Sequence, residues 1–184
     1  RKIYEKDELD EWMDVRTPKI DGTNLTIIYK AGKMHLALTR GNGDRGDDVT
    51  ELAREITNIP QKISTDHAQV VINGECVTDN DVDNFRNYVS GALGLKSPSE
   101  FKERNIKFIA HDILSFTMNY TNKIDILQNM GFFTVLDDAA WDYPCDGVVY
   151  RCNDWEKCQH LGYTSKYPRF AVALKSRETI TAVT

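Results

Sequence analysis

The sequence predicts an α+β domain that is built mainly from antiparallel sheets. Strand patterns outnumber helical ones, and the two do not alternate strictly along the chain. The chain has 184 residues, of which 41% are hydrophobic, which is enough for one well-packed core. No interdomain linker, internal repeat or low-complexity tract interrupts it. We therefore expect a single domain over residues 1–184.

Five segments are predicted in the first half of the chain. An acidic helix or turn is expected at 5–14. Alternating apolar residues predict strands at 23–29 and 33–39, joined as a hairpin across "KAG". A glycine-rich loop follows. Apolar residues at helical spacing then predict a helix that begins near Asp48, with a capping-box-like pattern between Asp48 and Glu51. The stretch "QVVINGEC" predicts a buried strand that ends at Gly74-Glu75.

The second half predicts a similar mixture. "DNDVDNFRNYVSGALG" is typical of a helix closed by Gly94, and "TNKIDILQNMG" of one stopped by Gly131. Strands are predicted at 106–114 and in "FFTVLD", which follows Gly131. The last third predicts two short strands, "DGVVYR" and "RFAVALK", around an irregular segment. Many strands with few helices support the α+β prediction.

Composition excludes several kinds of protein. No apolar run approaches the roughly 20 residues of a membrane span, and the N-terminal "RKIYEKDELDEW" is too charged for a signal peptide. The four cysteines form no CxxC pair and the histidines show no ligand spacing with them, so we expect no zinc. Reduced thiols indicate the cytoplasm, and no membrane partner is expected.

Charge is distributed unevenly. The net charge of −5 gives no general basic field for nucleic acid. Residues 151–177, however, carry six basic side chains against two acidic ones. This strip is equally compatible with a phosphate-binding surface and with an ordinary solvated face.

Five polar signatures follow apolar runs. A rigid scaffold presents side chains to a cleft at its strand ends, so we expect these residues to converge. One such signature would be weak evidence, since Lys19 and Asp21 alone could be an edge ion pair. The five are Lys19-Ile20-Asp21-Gly22, Thr39-Arg40-Gly41, Asn73-Gly74-Glu75, Asp146-Gly147-Val148-Val149-Tyr150-Arg151 and Ala173-Leu174-Lys175.

In order and composition, these signatures resemble the covalent nucleotidyltransferase superfamily of DNA ligases, RNA ligases and mRNA capping enzymes. Within it, "TRGNGDRGDDVT" and "LGYTSKYPRFAVALK" resemble segments of the adenylation domain of NAD-dependent DNA ligase. The resemblance runs from about residue 16 to about residue 180. It implies the ATP-grasp-like fold of this superfamily, with two mainly antiparallel sheets flanked by helices around a nucleotide cleft.

The resemblance also implies a reaction. Lys19 would attack the α-phosphate of NAD, release nicotinamide mononucleotide (NMN) and keep AMP as adenylyl-lysine, which is then passed to the 5′-phosphate of nicked double-stranded DNA. An amine attacks phosphorus only when neutral, and we expect desolvation and the cations of Arg151 and Lys175 to favour that form. Asp21 would orient Lys19. Glu75 and Asp146 would bind Mg²⁺ through waters.

Binding roles follow from the same resemblance. The nucleotide site would comprise Thr17, Pro18, Lys19, Ile20, Gly22, Arg40, Glu75, His111, Val149, Arg151 and Lys175. Phosphate and DNA contacts are implied for Arg40, Arg86, Lys96 and Arg169, with Lys96 replacing an arginine that is lacking at Gly94. His111 stands where relatives stack an aromatic ring on adenine, although a packed core histidine is equally expected.

Three positions depart from the family pattern. Thr17 stands where the family has a glutamate, Arg151 where it has a lysine, and Phe170 where it has a tryptophan. None of them removes the nucleophile. They are typical of a divergent member, and a viral origin would account for them, which would make the location the cytoplasm of a bacterium or of a host cell.

The resemblance implies further domains in the complete enzyme. An NMN-binding domain would precede this one, and an OB-fold, a zinc finger and helix-hairpin-helix elements would follow. We expect missing domains or a separate subunit to supply them, and the 184 residues alone to seal nicks poorly. Two other functions stay open: an ATP-dependent polynucleotide ligase or capping-type nucleotidyltransferase, and a non-catalytic AMP- or nick-binding module. A structural domain with coincidental motifs is the least favoured.

Overall fold

The computed structural model describes residues 2–3, 13–40, 46–162 and 171–175. Its two four-stranded sheets and short helices confirm the predicted α+β class. The strands are β1 (Lys2–Ile3), β2 (Val15–Ile20), β3 (Thr23–Lys30), β4 (Lys33–Thr39), β5 (Gln69–Thr78), β6 (Ile106–Ile113), β7 (Cys145–Arg151) and β8 (Ala171–Lys175). The helices are α1 (Thr50–Ala53), α2 (Phe85–Ala92), α3 (Pro98–Glu103), α4 (Tyr120–Asn129) and α5 (Trp155–Leu161), with a 3-10 helix at Asp138–Asp142.

The two sheets have simple topologies. Sheet A has the strand order β1-β8-β7-β2, and sheet B has the order β4-β3-β5-β6. All described strand pairs are antiparallel except β1 with β8, so the predicted mainly antiparallel character is confirmed. Among the described helices, none has the length and apolar character that crossing a bilayer requires.

The hairpin predicted from the alternation of apolar residues is confirmed. Leu25, Ile27 and Tyr29 alternate along β3 and are fully buried in the main core. Ala31 and Gly32 both have positive φ, as a two-residue turn between twisted strands requires. The hydrophobic alternation therefore fixes both the register of β3 and the face that it buries.

Two strand predictions were wrong. The strand predicted to end at Gly74-Glu75 continues to Thr78, because Cys76 and the next two residues are buried and pair with β6. Glu75 therefore lies within a strand and not at its end. "FFTVLD" forms no strand but only an isolated bridge between Thr134 and Ala110. Asp137 accepts hydrogen bonds from the amide and hydroxyl of Thr134, which closes a turn there instead.

The helix near Asp48 is shorter than predicted. The Asp48 carboxylate accepts from the amide and hydroxyl of Thr50, so no capping box forms with Glu51. The next helix, α2, likewise begins only at Phe85. Helices α3 and α5 were not predicted, although Ser97 and Asp154 cap them through their side chains in the usual N-terminal pattern.

Two other predictions fall mostly or wholly outside the described residues. They are the acidic segment at 5–14, of which the structure describes Met13 and Asp14, and the glycine-rich loop at 41–45. The predicted helix ending at Gly131 corresponds to α4, which ends two residues earlier at Asn129.

The chain passes directly from sheet A to sheet B at Asp21 and Gly22. The Asp21 amide donates to the Pro144 carbonyl at 2.9 Å, which holds the junction beside the start of β7. Gly22 lies so close to β5 that a Cβ atom would overlap the Cys76 carbonyl oxygen. Only glycine permits this approach of two backbones, so the residue after Asp21 sets how the two sheets meet.

Replacing Gly22 by alanine should destabilise the domain by about 1–3 kcal/mol, because the added methyl group must displace the β5 backbone. Gly91 provides the matched control. It lies exposed in α2, and outside its own helix the nearest atom is 3.9 Å from the place that a methyl group would take, so Gly91→Ala should stabilise by about 0.5–1 kcal/mol. Urea denaturation of both variants measures the difference. Equal midpoints would contradict the proposed close approach.

Candidate functional site

Lys19 lies in a row of facing residues across sheet A. It pairs with Gly147 of β7, and Gly147 pairs in turn with Lys175 of β8. Directly opposed residues of antiparallel strands present their side chains on the same face. Because the central member is a glycine, no side chain separates the two lysines. The fold therefore brings two ammonium groups toward the space above Gly147.

Asp146 reaches this row through a β-bulge. The pairing of β2 with β7 passes from Lys19–Gly147 to Ile20–Cys145 and leaves Asp146 as an additional residue. Such a bulge redirects a side chain. The carboxylate oxygens of Asp146 accept from the Lys19 amine at 3.0 and 3.1 Å, and one lies 3.4 Å from the Lys175 amine. The result is a carboxylate shared by two lysines.

The charge state of Asp146 follows from these contacts. Burial pushes its pKa upward, but the hydrogen bonds and positive charges of Lys19 and Lys175 outweigh burial and lower the pKa. Asp146 is therefore ionised at neutral pH. The Lys19 amine, whose side chain is 30% exposed, keeps access to solvent and to a ligand.

A cavity of about 530 Å³ opens beside Lys19. Its walls are the β2–β3 junction, the end of β4, the middle of β5 and one side of α2. Arg40, Glu75 and Arg86 all line it, so residues from distant parts of the sequence meet here. Arg86 also lies 3.8 Å from the carboxylate of Asp21. The cavity is large enough for a nucleotide-sized ligand.

Glu75 is the unusual carboxyl group in this cavity. Burial raises its pKa to about 7, against a hydrogen bond from Asn24 and the positive charges of Arg40, Lys19 and Arg86. Near neutral pH, this side chain is thus divided between its neutral and charged forms. A ligand or cation entering the cavity can shift that balance.

Arg151 lies at the other end of the same strand. It is four residues from Gly147, or about 13 Å along an extended strand. Its guanidinium carbon lies 4.0 Å from the centre of the Tyr120 ring. Its Nε atom is buried without a hydrogen-bond partner among the described residues. Lys175, and not Arg151, is therefore the cation that adjoins the Lys19 amine.

His111 lies close to Arg151 and Tyr120. The pairing of β5 with β6 passes over it, from Asn73–Asp112 to Gly74–Ala110, so it too occupies a bulge. Burial and the positive charge of Arg151 lower its pKa to about 4, against the charge of Asp112. The imidazole is therefore neutral at pH 7.

The remaining predicted residues divide into three groups. Thr17 pairs with Val149 on the face of sheet A that carries Lys19, whereas Pro18 alternates to the opposite face. Lys96 is exposed and lines a neighbouring groove with His35 and Asp48, not the cavity at Lys19. Its predicted phosphate contact is thus not part of this cavity. Arg169 lies outside the described residues.

Two residues of the site were missed from the sequence. Asn24 pairs with Glu75 across β3 and β5, and its position two residues after Gly22 could have indicated this neighbour. Tyr120, which contacts Arg151, lies at the start of α4 and had no such signal.

Comparisons with known proteins point to one family. The family model described as "NAD-dependent DNA ligase adenylation domain" matches residues 2–83 and 134–178, which is more than half of the chain. The segment 84–133, which contains Arg86, His111 and Tyr120, lies outside that match.

Curated relatives are also DNA ligases. The DNA ligase of Campylobacter jejuni subsp. doylei is 32% identical over 197 residues, covering 86% of this chain and 30% of the relative. The DNA ligase of Anaplasma phagocytophilum is 33% identical, covering 89% of this chain and 29% of the relative. The chain thus spans about 30% of the length of these relatives.

A solved structure of "mycobacterial DNA ligase D complexed with ATP and MES" aligns with 18% identity and a TM-score of 0.49, covering 87% of this chain and 53% of that one. The extent of the family match decides the assignment. The chain belongs to the family of NAD-dependent DNA ligase adenylation domains.

Proposed function

We propose that this chain transfers the adenylyl group of NAD to Lys19 and then to the 5′-phosphate of nicked DNA. The observation that carries the proposal is the Lys19 amine, held 3.0 Å from Asp146, at the mouth of a cavity with Arg40 and Arg86. Since the chain spans about 30% of its curated relatives, complete nick sealing is proposed for the enzyme of which this domain is a part.

The first step joins Lys19 to phosphorus. The Lys19 nitrogen forms a bond to the α-phosphorus of NAD, the bond from that phosphorus to the bridging oxygen breaks, and NMN leaves with the electron pair. Lys19 must first lose a proton, and Asp146, at 3.0 and 3.1 Å, is the hydrogen-bonded group that can pass it to solvent. Lys175 then supplies positive charge to the phosphate oxygens.

The second step passes AMP to DNA. A DNA 5′-phosphate attacks the adenylyl phosphorus, the phosphorus–nitrogen bond breaks, and Lys19 is released; a 3′-hydroxyl then displaces AMP to seal the nick. The exposed cations Arg40 and Arg86 are suited to bind DNA phosphates at the cavity. We further propose that other domains, or a separate subunit, supply NMN binding and an OB-fold.

Mg²⁺ fits this site only together with phosphate ligands. Among the described residues, no group of three histidine, cysteine, aspartate or glutamate side chains could form a protein cage for a metal. Mg²⁺ commonly binds one or two carboxylates plus substrate phosphates and waters. Glu75 is the more available carboxylate, since Asp146 is shared by Lys19 and Lys175. The bound ion would neutralise charge on the α-phosphate.

Lys19→Ala should abolish covalent adenylation. Among the other described amines, only that of Lys175 lies in the row above Gly147 and near Asp146, and its proposed role is electrostatic. Intact mass spectrometry after incubation with NAD should detect an added adenylyl group on the unaltered chain and none on the variant. Lys33→Ala, which alters an exposed lysine of β4, is the matched control and should retain the adduct.

The same assay with labelled NAD and labelled ATP separates the alternatives. Adduct formation from ATP instead of NAD would favour a capping-type or ATP-dependent enzyme. Nucleotide binding without any adduct would favour a non-catalytic module. An adduct that persists in Lys19→Ala would refute the proposed nucleophile.

Glu75→Gln should change how stability depends on pH. In the folded protein Glu75 keeps its proton up to about pH 7, whereas its ordinary pKa is near 4.5. A carboxyl group whose pKa is higher in the folded than in the unfolded protein makes its full contribution to stability below the unfolded-state pKa. That contribution is lost as the pH rises through the folded-state pKa. The variant should therefore gain stability relative to the original chain between about pH 4.5 and 7, by at most about 1.4 kcal/mol per pH unit.

The measurement is the free energy of urea unfolding across this range, without nucleotide. Glu103→Gln, which removes an exposed carboxyl at the end of α3, controls for the loss of charge. His111 contributes a slope of opposite sign, because its lowered pKa gives stability that is lost as the pH falls from about 6.5 to 4. The contribution of His111 is the same in the variant and in the original chain, so it cancels when their free energies of unfolding are subtracted. A constant difference for Glu75→Gln would contradict the assignment.

A further inference from the structure

Helix α4 ties together the two sheets at the end of the site opposite to Lys19. Its N-terminal residues are bound to the segment that follows β7 of sheet A. The amides of Tyr120 and Thr121 donate to the backbone and side-chain oxygens of Asn153, at 3.0 and 2.8 Å. In return, the Trp155 amide donates to the side chain of Asn119 at 2.9 Å. The start of α4 therefore moves with the end of β7, two residues from Arg151.

The inner face of α4 packs on sheet B. Lys123, which is 8% exposed, forms an ion pair with Asp112 of β6 at 3.1 Å. Ile124 and Leu127 are fully buried in the main core. Closely packed core side chains and a buried ion pair permit only one relative position of the two elements. Helix α4 therefore holds β6 in place at the His111 bulge.

Tyr120 contacts both nucleotide-binding groups at once. Its hydroxyl donates to the His111 carbonyl oxygen at 2.5 Å, and its ring lies under the Arg151 guanidinium at 4.0 Å. Tyr120 is itself 5% exposed and belongs to the main core. Burial raises its pKa to about 12, so the hydroxyl stays a donor at all ordinary pH values.

The contact with Tyr120 leaves one Arg151 donor without a partner among the described residues. A guanidinium held by its face presents its N–H groups sideways, and the Nε atom of Arg151 is buried with no partner among the described residues. Arginine suits such a stack better than lysine, because its charge is planar and weakly hydrated. Arg151 also stands where the resembling family has a lysine, and Tyr120 lies in the segment that the family match does not cover.

We infer that Tyr120 is a positioning residue for the adenosine nucleotide: its ring holds Arg151, its hydroxyl holds the backbone of His111, and the two are thereby set at one separation across the cleft. The inference rests on the proposed function, since Arg151 and His111 bind the nucleotide only there. Tyr120 acts through these two residues and touches no reacting atom.

A double-mutant cycle tests the inference, with AMP binding measured by calorimetry. Tyr120→Leu should weaken AMP binding by about 10-fold, because Arg151 is no longer held. Tyr120→Phe keeps the ring and should lose much less. In the Arg151→Ala background, Tyr120→Leu should weaken AMP binding by a smaller factor than in the original chain, because only the contact with His111 is left to lose. In NAD-dependent adenylation, Tyr120→Leu should raise KM by a larger factor than it lowers the maximal rate.

Tyr29→Phe is the matched control, because Tyr29 is also a buried core tyrosine whose hydroxyl donates to a backbone carbonyl, that of Pro60. It should bind AMP like the original chain. Additive effects of Tyr120→Leu and Arg151→Ala, or unchanged binding by Tyr120→Leu, would overturn the inference. Failure of the proposed function gives a different result: the original chain itself would bind no adenosine nucleotide. Failure of the inference alone leaves AMP binding by the original chain intact.

A second measurement keeps the test independent of whether Tyr120→Leu folds. In ¹⁵N NMR spectra of the original chain and of Tyr120→Phe, the Arg151 Nε–H signal should be shifted by the ring current and should exchange slowly. AMP should move that signal in both proteins. A signal at the position and exchange rate of a solvated arginine would contradict the stacked geometry.

Discussion

The ion pair between Lys19 and Asp146 depends on one additional residue in β7. In a regular strand, Asp146 would share the face of Val148 and Tyr150, which is directed away from Lys19. The bulge turns its carboxylate toward the amine instead. Since Gly147 has no side chain, the same carboxylate also reaches Lys175. Lys19 and its two charged neighbours are thus placed by the pairing of β2, β7 and β8, and the proposed in-line attack on phosphorus needs such a fixed geometry.

The two ends of the proposed nucleotide-binding face differ in their electrostatics. Around Lys19 the charges are paired and partly exposed, as suits a group that must exchange a proton and bind phosphates. At the other end, burial holds His111 neutral and leaves Arg151 over an aromatic ring. Glu75, whose pKa is about 7, is intermediate between the charged groups around Lys19 and the neutral His111. For the proposed nucleotide, the end at Lys19 suits a phosphate, and the other end offers the neutral imidazole of His111 beside the single cation of Arg151.

Local patterns predicted those elements that local physics determines. Alternation identified the β3–β4 hairpin and β6, and a helical pattern with a terminal glycine identified α4. The bulges at Asp146 and His111 could not be predicted, because register depends on the partner strand. For the same reason, Glu75 was expected at a strand end and lies within β5. Lys19, Asp146 and Lys175 were found through a family resemblance, while the distance of Arg151 from Lys19 required the topology.

Two departures from the family pattern, at positions 111 and 151, meet at one residue. His111 and Arg151 replace a larger aromatic residue and a lysine of the resembling family, and both contact Tyr120 of α4. An imidazole offers a smaller face for stacking, and a guanidinium offers a broader one. Tyr120 supports both, from a segment that the family match does not cover. In sheet A, Lys19, Asp146 and Lys175 are the residues of the resembling family, whereas Thr17 and Arg151 are not. This division suits the proposed chemistry, because the adenylyl transfer needs the amine of Lys19, whereas stacking on a base depends on the shape and separation of two surfaces.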